Sequence, residues 1–411
     1  MRKSLFFFIF IFSSYSVMAQ WTDNIRWTIY NTSNSGLVSD QLTRIFIDGN
    51  DIKWIGTLNG LNTLNKDVWT TYSPADAGIE SFNVSALFYG KDNSAWIGTM
   101  VEGLLRKRGN SWQHYTSDNS PLPQGMVTAL GTTDEGAAWI GTSDGGLAEF
   151  DGQEWSVYDH YNTELPDDRV YSLCIRGNEI WVGTDHGLAI FRNRNWTVFN
   201  PTNSGLPGYR IFDIDTTRDG GFVFATDEGL ALLKEEVWDS YHTENSGLPE
   251  NQIRALAVDT LNQIWIATSS GITKFDGTNW MTWDRSNSAL PENSVNDIRI
   301  DKLNTKWIAT EGGGLVRLNG DRVLSSTTYS ETPVFDFQLR KNPVKDKADI
   351  ILSRQVKNYT LEIIGLLGHV IKQIPVDGRH ISFSVGDLRN GLYLIRINTG
   401  NGYITKKMIK E

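Results

Sequence analysis

Residues 253–291 read IRALAVDTLNQIWIATSSGITKFDGTNWMTWDRSNSALP. Ile253 to Val258 is an apolar run that stops at the polar turn Asp259-Thr260-Leu261-Asn262. Ile264 to Thr268 is β-branched and aromatic, the composition of a strand, and Ser269-Ser270-Gly271 turns the chain again. Ile272 to Phe275 makes a third strand. Asp276-Gly277, a hairpin dipeptide that tolerates positive φ, leads to a fourth at Trp280 to Trp283. These runs are too short for a helix hairpin, and nowhere does the chain hold a long 3.6-period stretch with caps. The unit is a four-stranded antiparallel meander.

The unit recurs. Trp-Ile-Gly-Thr or a close variant begins at Trp54, Trp96, Trp139, Trp181, Val223, Trp265 and Trp307, at spacings of 42 or 43 residues. A second motif, Trp-x-x-aromatic, begins at Trp27, Trp69, Trp112, Trp155, Trp196, Trp238 and Trp280. A third, close to Asn-Ser-Gly-Leu-Pro, begins at Asn34, Asn119, Asn203, Asn245 and Asn287, with looser copies at Asp76 and Asn162. Three motifs sharing one period mark a repeat architecture. Seven four-stranded units predict an all-β fold, a seven-bladed β-propeller, whose blades stack because none can bury both faces of its sheet alone. The second-strand Trp and Ile would fill the wedge between blades, and the Gly or Ala after them would permit close approach. Of the 15 tryptophans, 13 sit at repeat positions, so their number reflects blade packing rather than an aromatic binding face. The outer-strand motif already occurs at Trp27, ahead of the first inner strand, while its place after Leu315 to Leu318 holds only Asp321-Arg322-Val323-Leu324. The N-terminal strand is therefore expected to close the seventh blade; in the alternative, Val323 to Thr328 makes that strand.

From Trp265 to Pro291 the pattern Trp-Ile-Gly-Thr, Gly-Leu, Phe-Asp-Gly-x-x-Trp, Asn-Ser-Gly-Leu-Pro resembles the two-component regulator propeller repeat, and the likeness extends over about residues 21–326. That family commonly forms the extracytoplasmic sensor of membrane-bound regulators. No kinase, transmembrane helix or second propeller accompanies it in this sequence, so signalling through a histidine kinase is not expected.

The flanks differ from the repeats. Met1-Arg2-Lys3 is basic, Leu5 to Phe12 is apolar, and Val17-Met18-Ala19 offers small residues before a cut ahead of Gln20, the pattern of a secretory signal. The apolar run is too short to span a bilayer. The expected organisation is a signal at 1–19, the propeller at 20–326, a linker at 327–333 and a second domain at 334–411. Residues 333–411 carry 13 Lys and Arg against 7 Asp and Glu, a surplus of +6. With the +2 of the signal and a net charge of −10 for the chain, −18 falls on residues 4–332. That balance argues against a nucleic-acid partner. The single cysteine, Cys174, excludes an intramolecular disulfide and reads as a small buried hydrophobe.

The second domain reads as short strands at 335–339, 348–352, 359–364, 370–374, 380–385, 391–397 and 403–409, a small Ig-like β-sandwich. Lys341-Asn342-Pro343, Leu361 to Gly368 followed by Val370, Gly391-Leu392-Tyr393 and the basic tail Lys406-Lys407-Met408-Ile409-Lys410 are similar to the type A sorting domain of type IX secretion. The resemblance implies that Asn342, Pro343, Gly391, Tyr393, Lys406 and Lys407 belong to a sorting signal read by the type IX machinery. It further implies a product that is secreted or held at the cell surface, beyond the outer membrane.

If four strands alternate direction, the outer-to-inner connections and the second-to-third turns share one face of the ring. There the turns vary between repeats, and Arg169, Asp185, His186, Tyr209, Arg210 and Asp227 form the candidate ligand-binding set, suited to a glycan or protein ligand. No catalytic residue, metal or cofactor is assigned. Nucleophile-elbow, P-loop, zinc and dinucleotide patterns are missing, as is the full Asp-x-Asp-x-Asp-Gly calcium loop. The alternative is a lyase or hydrolase at this acidic mouth. Propellers of the streptogramin lyase type place a His and a metal-binding carboxylate on one mouth, which would give His186 the role of base beside Asp185 and Asp227.

Overall fold

The computed structural model describes residues 26–319, 337–365, 370–398 and 403–411. The expected signal, the linker and the alternative closing strand at 323–328 lie outside them. The chain forms two compact units, divided between residues 324 and 325.

The first unit holds seven four-stranded antiparallel sheets. Six are consecutive in sequence, as in Ala255–Val258, Ile264–Thr268, Gly271–Phe275 and Trp280–Trp283. The seventh takes Val295–Ile300, Lys306–Thr310 and Leu315–Asn319 from the end of the ring and Arg26–Tyr30 from its beginning. Trp27 faces Leu318 and Ile29 faces Val316 across this junction, so the N-terminal strand latches the ring.

Blade packing follows the repeat. Trp54, Trp96, Trp139, Trp181, Trp265 and Trp307 are all buried, and Gly56, Gly98 and Gly141 let the next blade approach. A Cβ on Gly141 would stand 2.5 Å from Val170 Cγ1 of the neighbouring blade. Polar side chains on the innermost strands complete the contact. Ser85 donates to Val127 O (2.5 Å), Ser172 to Ile211 O (3.0 Å), and Asn296 to Leu42 O (2.8 Å), each reaching from one blade to the next. Asp213 and Asp215 accept from Leu256 N (2.9 Å) and Val258 N (2.8 Å), and Asp297 accepts from Ile45 N (2.8 Å). The turns between the first and second strands add a second set. Asp48, Asp259 and Asp301 accept from the indole Nε1 of Trp54, Trp265 and Trp307 at 3.0–3.1 Å. These buried donors and acceptors are satisfied within the ring, and the Asp–Trp bonds tie the turns of the first, sixth and seventh blades to the core below them.

The second unit is a five-stranded antiparallel sheet. The strands expected at 348–352 and 359–364 are one strand, Lys347–Ile364, and those at 370–374 and 380–385 are joined in Val370–Ser384. Register shifts between Ile351, Val356 and Tyr359 allow the long strand to bend without ending. Its first part pairs with Phe337–Leu339 and its last with Gly391–Asn398, which pairs with Tyr403–Lys410. One core, including Ile350, Leu361, Ile363, Ile395 and Met408, draws on both parts.

Candidate functional site

Six of the seven innermost strands carry a register shift at the same place, after their first residue. A bulge leaves one residue outside the ladder and re-aims its side chain. In the fourth blade that residue is Tyr171, between Val170 and Ser172. On the same face, the second-to-third turn of five blades bonds to the residue leading into its own inner strand, as where Asp185 N donates to Arg169 O, Ser143 N to Met126 O and Glu311 N to Ser294 O. Outer-to-inner connections and second-to-third turns therefore share one mouth, as the alternation of strand direction requires.

The six candidate residues stand in two adjacent blades, and four of them, Asp185, His186, Arg210 and Asp227, form one linked group. Asp185 Oδ1 accepts from the Tyr171 hydroxyl at 2.7 Å and lies 2.9 Å from Arg210 Nε. Arg210 N donates to Asp227 Oδ1 (3.2 Å). A Cβ on Gly208 would meet Asp227 Oδ1 at 2.1 Å, so only glycine admits that carboxylate beside the chain. His186 Nδ1 lies 2.7 Å from Asp167 Oδ2 and 3.8 Å from Asp185 Oδ2. The Tyr209 ring, 43% exposed, sits 6.5 Å from that of His186. Arg169 is the most loosely held, with Nη2 3.9 Å from Asp144 Oδ1 and Nε donating to Ser143 O at 3.3 Å.

The electrostatics follow from these partners. Burial pushes the Asp185 carboxyl upward, but the Tyr171 hydroxyl and the nearby Arg210, Arg169 and His186 outweigh it and hold the carboxyl below its ordinary range. The Tyr171 phenol moves the other way, raised by burial and by the Asp185 carboxylate that accepts its proton. Asp185 is thus an ionised hydrogen-bond acceptor, with one oxygen committed to Tyr171 and Arg210.

Asp167, Asp185 and His186 each offer one ligand atom, all within 4.8 Å of one another, the one such trio among the described residues. A cation there would compete with the pairing of His186 to Asp167. The carboxylate beside His186 in a base role is Asp167, not Asp227, whose contact is with the Arg210 backbone. Sequence reasoning missed Asp167 and Tyr171. Asp167 lies two residues before Arg169, and Tyr171 sits inside an inner strand whose plain alternation would turn it away; the bulge brings it to the mouth.

The ring axis is not a second site. Its cavity, lined by Arg44, Asp213, Arg254, Asn296, Asp297 and Arg299 among others, measures about 80 Å³. Ligand pockets begin at roughly 300 Å³, so the axis has room for water only. Arg299 Nη2 pairs with Asp297 Oδ1 at 3.2 Å and Nη1 lies 3.7 Å from Asp213 Oδ2 within it.

The residues of the expected sorting signal lie along the last two strands of the second unit and in the segment at 342–344 that bonds to the end of the last one. Asn342 Oδ1 accepts from Ile409 N (2.7 Å), across a cis Asn342-Pro343 peptide from Val344, which bonds Ile409 O and Glu411 N. The Tyr393 hydroxyl donates to Arg389 O at 2.8 Å, and Gly391 opens the strand that carries Tyr393 with φ 156°. Lys406 Nζ stands 5.6 Å over the Phe337 ring, and Lys407 is paired in register with Leu394.

Residues 342–411 match the family model described as a secretion system C-terminal sorting domain, and residues 247–270 match that of the two component regulator propeller. No curated protein matches the chain. Among solved structures, the extracellular domain of BT3049 from B. thetaiotaomicron, described as a hybrid two component system, is similar at 19% identity and TM-score 0.62. The match covers 93% of this chain and 57% of that one. PorZ of Porphyromonas gingivalis, a bacterial surface component of the type-IX secretion system, is similar at 14% identity and TM-score 0.62, over 93% of this chain and 61% of PorZ. This chain thus spans about three-fifths of the length of both. Virginiamycin B lyase from Staphylococcus aureus is similar at 15% identity and TM-score 0.58, over 72% of this chain and 99% of the lyase. At these identities the likeness is one of fold. No helix among the described residues is long and apolar enough to cross a membrane. A propeller with a regulator-type repeat and a C-terminal sorting domain, the chain is a secreted or cell-surface protein.

Proposed function

We propose that this is a non-catalytic binding protein, exported by the type IX secretion machinery, whose propeller holds a glycan or protein ligand at the mouth of its fourth and fifth blades. In this reading residues 1–19 are the export signal, 20–326 the propeller, 327–333 the linker and 334–411 the sorting domain. The observation that carries it is the linked group Tyr171, Asp185, Arg210, Asp227, Asp167 and His186. It presents ionised and hydrogen-bonding groups in fixed positions, with Arg169 and Tyr209 exposed beside them. A carboxylate held ionised by a phenol and a guanidinium orients a ligand and does not deliver a proton. The direct test is a glycan and protein array probed with the full chain. A hit that Arg210→Ala together with Asp185→Asn abolishes supports the reading; an array in which those changes weaken no hit removes it. Deleting residues 334–411 tests the export route, since protein that still reaches the outside of the outer membrane would defeat the type IX assignment.

A second reading rests on His186, whose Nδ1 meets Asp167 Oδ2 at 2.7 Å in the arrangement of an oriented general base. The structure of virginiamycin B lyase with quinupristin was obtained with a catalytically inactive His-to-Ala variant. Turnover of quinupristin by this chain, lost in His186→Ala, would establish an enzyme and overturn the binding-only proposal.

A further inference from the structure

We infer that a groove on the rim between the third and fourth blades, outside the mouth group, binds a glycan. The groove has a volume of about 930 Å³, and its lining includes Tyr158, Tyr161, Phe191, Trp196, Glu149 and Arg194. Part of this is ordinary blade packing. Tyr158 meets Trp196 at 6.0 Å between ring centroids, as Tyr72 meets Trp112 and Tyr115 meets Trp155. Two residues depart from the repeat.

The first is Tyr161. The position before the conserved-in-period Asn is Ser33, Asp118, Thr202, Glu244 and Ser286 in other copies, all small or polar, and here it is an aromatic. Tyr161 is 86% exposed, the most exposed large hydrophobic side chain among the described residues. It is nevertheless held in place. The His160 ring lies 3.7 Å from it, centroid to centroid, and His160 is fixed by Asp168, whose Oδ2 is 2.5 Å from Nδ1 and whose Oδ1 accepts from the backbone N at 2.8 Å.

The second is Glu149, opposite the second-strand Trp139. Its counterparts opposite the same position are Thr63, Arg106, Ile190, Leu232, Lys274 and Arg317. Glu149 accepts from the Tyr158 hydroxyl at 3.0 Å, and Arg194 lines the same groove. Nothing in blade packing demands an acid at one position and an exposed aromatic at the other, since the remaining blades do without both.

Together they supply what a sugar needs. An aromatic face takes the C–H face of a pyranose, and a carboxylate and a guanidinium bond to its hydroxyls. A protein hot spot would instead set its aromatic among apolar neighbours that exclude water. Tyr161 stands beside Asn162 and Glu164, in an open groove. The groove is large enough for one or two sugar rings.

The test is native affinity electrophoresis of the full chain through gels containing β-glucan, xylan, mannan or dextran. We expect retardation by at least one of them, weakened roughly tenfold in Tyr161→Ala, as for loss of one aromatic anchor, and kept in Tyr161→Trp. Because Tyr161 is exposed, Tyr161→Ala should melt with the parent protein. Arg210→Ala with Asp185→Asn, which disables the mouth, should leave this retardation in place, so failure of the mouth reading and failure of the groove are told apart. Retardation by none of the four, equal retardation of Tyr161→Ala, or capture of a protein through Tyr161 without any polysaccharide binding would each overturn the inference.

Discussion

Tyr171 donates its hydroxyl to Asp185 Oδ1 at 2.7 Å, joining a bulged inner strand to the turn between the second and third strands of the same blade. The bond holds the Asp185 carboxyl low against the upward push of burial, with help from Arg210 and Arg169. A folded-state pKa below the unfolded value, about 3.9 for Asp, contributes stability that is present above that value and lost as pH falls through the folded one. Tyr171→Phe is expected to move the Asp185 titration upward, towards the ordinary carboxylate range. Side-chain carboxyl chemical shifts followed by NMR against pH would show it. An unmoved midpoint would assign the whole effect to the arginines.

Removing the closing strand tests the latch. Trp27 and Ile29 pack against a core that contains Val316 and Leu318, both buried. Deleting residues 26–30 exposes that face and leaves one strand of the seventh blade without its partner. At roughly 1.5–3 kcal/mol for each large apolar side chain uncovered, the loss should reach several kcal/mol. Differential scanning calorimetry should record a lower and broader transition. A melting temperature equal to that of the full chain would mean that another segment takes the place of the strand.

The fold was legible because the sequence states each blade seven times over. One copy of Ile264 to Trp283 is an ambiguous set of short strands, but a common period for Trp, Gly and Asn removes the ambiguity, and the surplus motif at Trp27 announces the closure. The mouth was legible in part for the same reason: topology alone brings Asp185, His186, Arg210 and Asp227 to one face. Its completion was not. Tyr171 arrives through a bulge, which inverts the side-chain alternation that sequence patterning relies on. The contacts of Ser85, Ser172, Asp213 and Asn296 with the next blade were equally hidden, since a lone polar residue in a strand gives no sign of which backbone group it meets. In the second domain Ser353 to Asn358 reads as a break, whereas register shifts carry the strand through it.

Gly141 tests how closely the blades must approach. An added methyl would meet Val170 Cγ1 at 2.5 Å, well inside contact, with Val170 fully buried. Gly141→Ala should destabilise by about 1–3 kcal/mol, the usual cost of overpacking. Val170→Ala alone opens a cavity and should also destabilise, by a comparable amount. In the double variant the new methyl occupies part of that space, so its loss of stability should be smaller than the sum of the two. Urea unfolding of all four proteins gives the coupling. Strict additivity would show that the close approach is not what glycine serves here.

Asp215 makes stability fall with rising pH across a defined window. Its carboxyl lies within the ring and accepts from Thr216 N (2.7 Å) and Val258 N (2.8 Å). Burial raises its pKa to about 6, with the two backbone donors and Arg299 opposing the shift and Asp213 adding to it. The unfolded carboxyl loses its proton near pH 4, the folded one about two units later, so between those values the folded state binds more protons. Stability should therefore decline from about pH 4 to about pH 6 by up to about 3 kcal/mol from this group, and then level off. Asp215→Asn removes that contribution. The amide oxygen can still accept from a backbone N–H, and whatever its absolute stability, the difference between the two proteins should change across the window and stay constant above it. Unfolding free energies measured in urea at pH 4, 5, 6 and 7 provide the comparison. Parallel curves would place the proton on Asp297, whose carboxyl burial also raises and which pairs with Arg299.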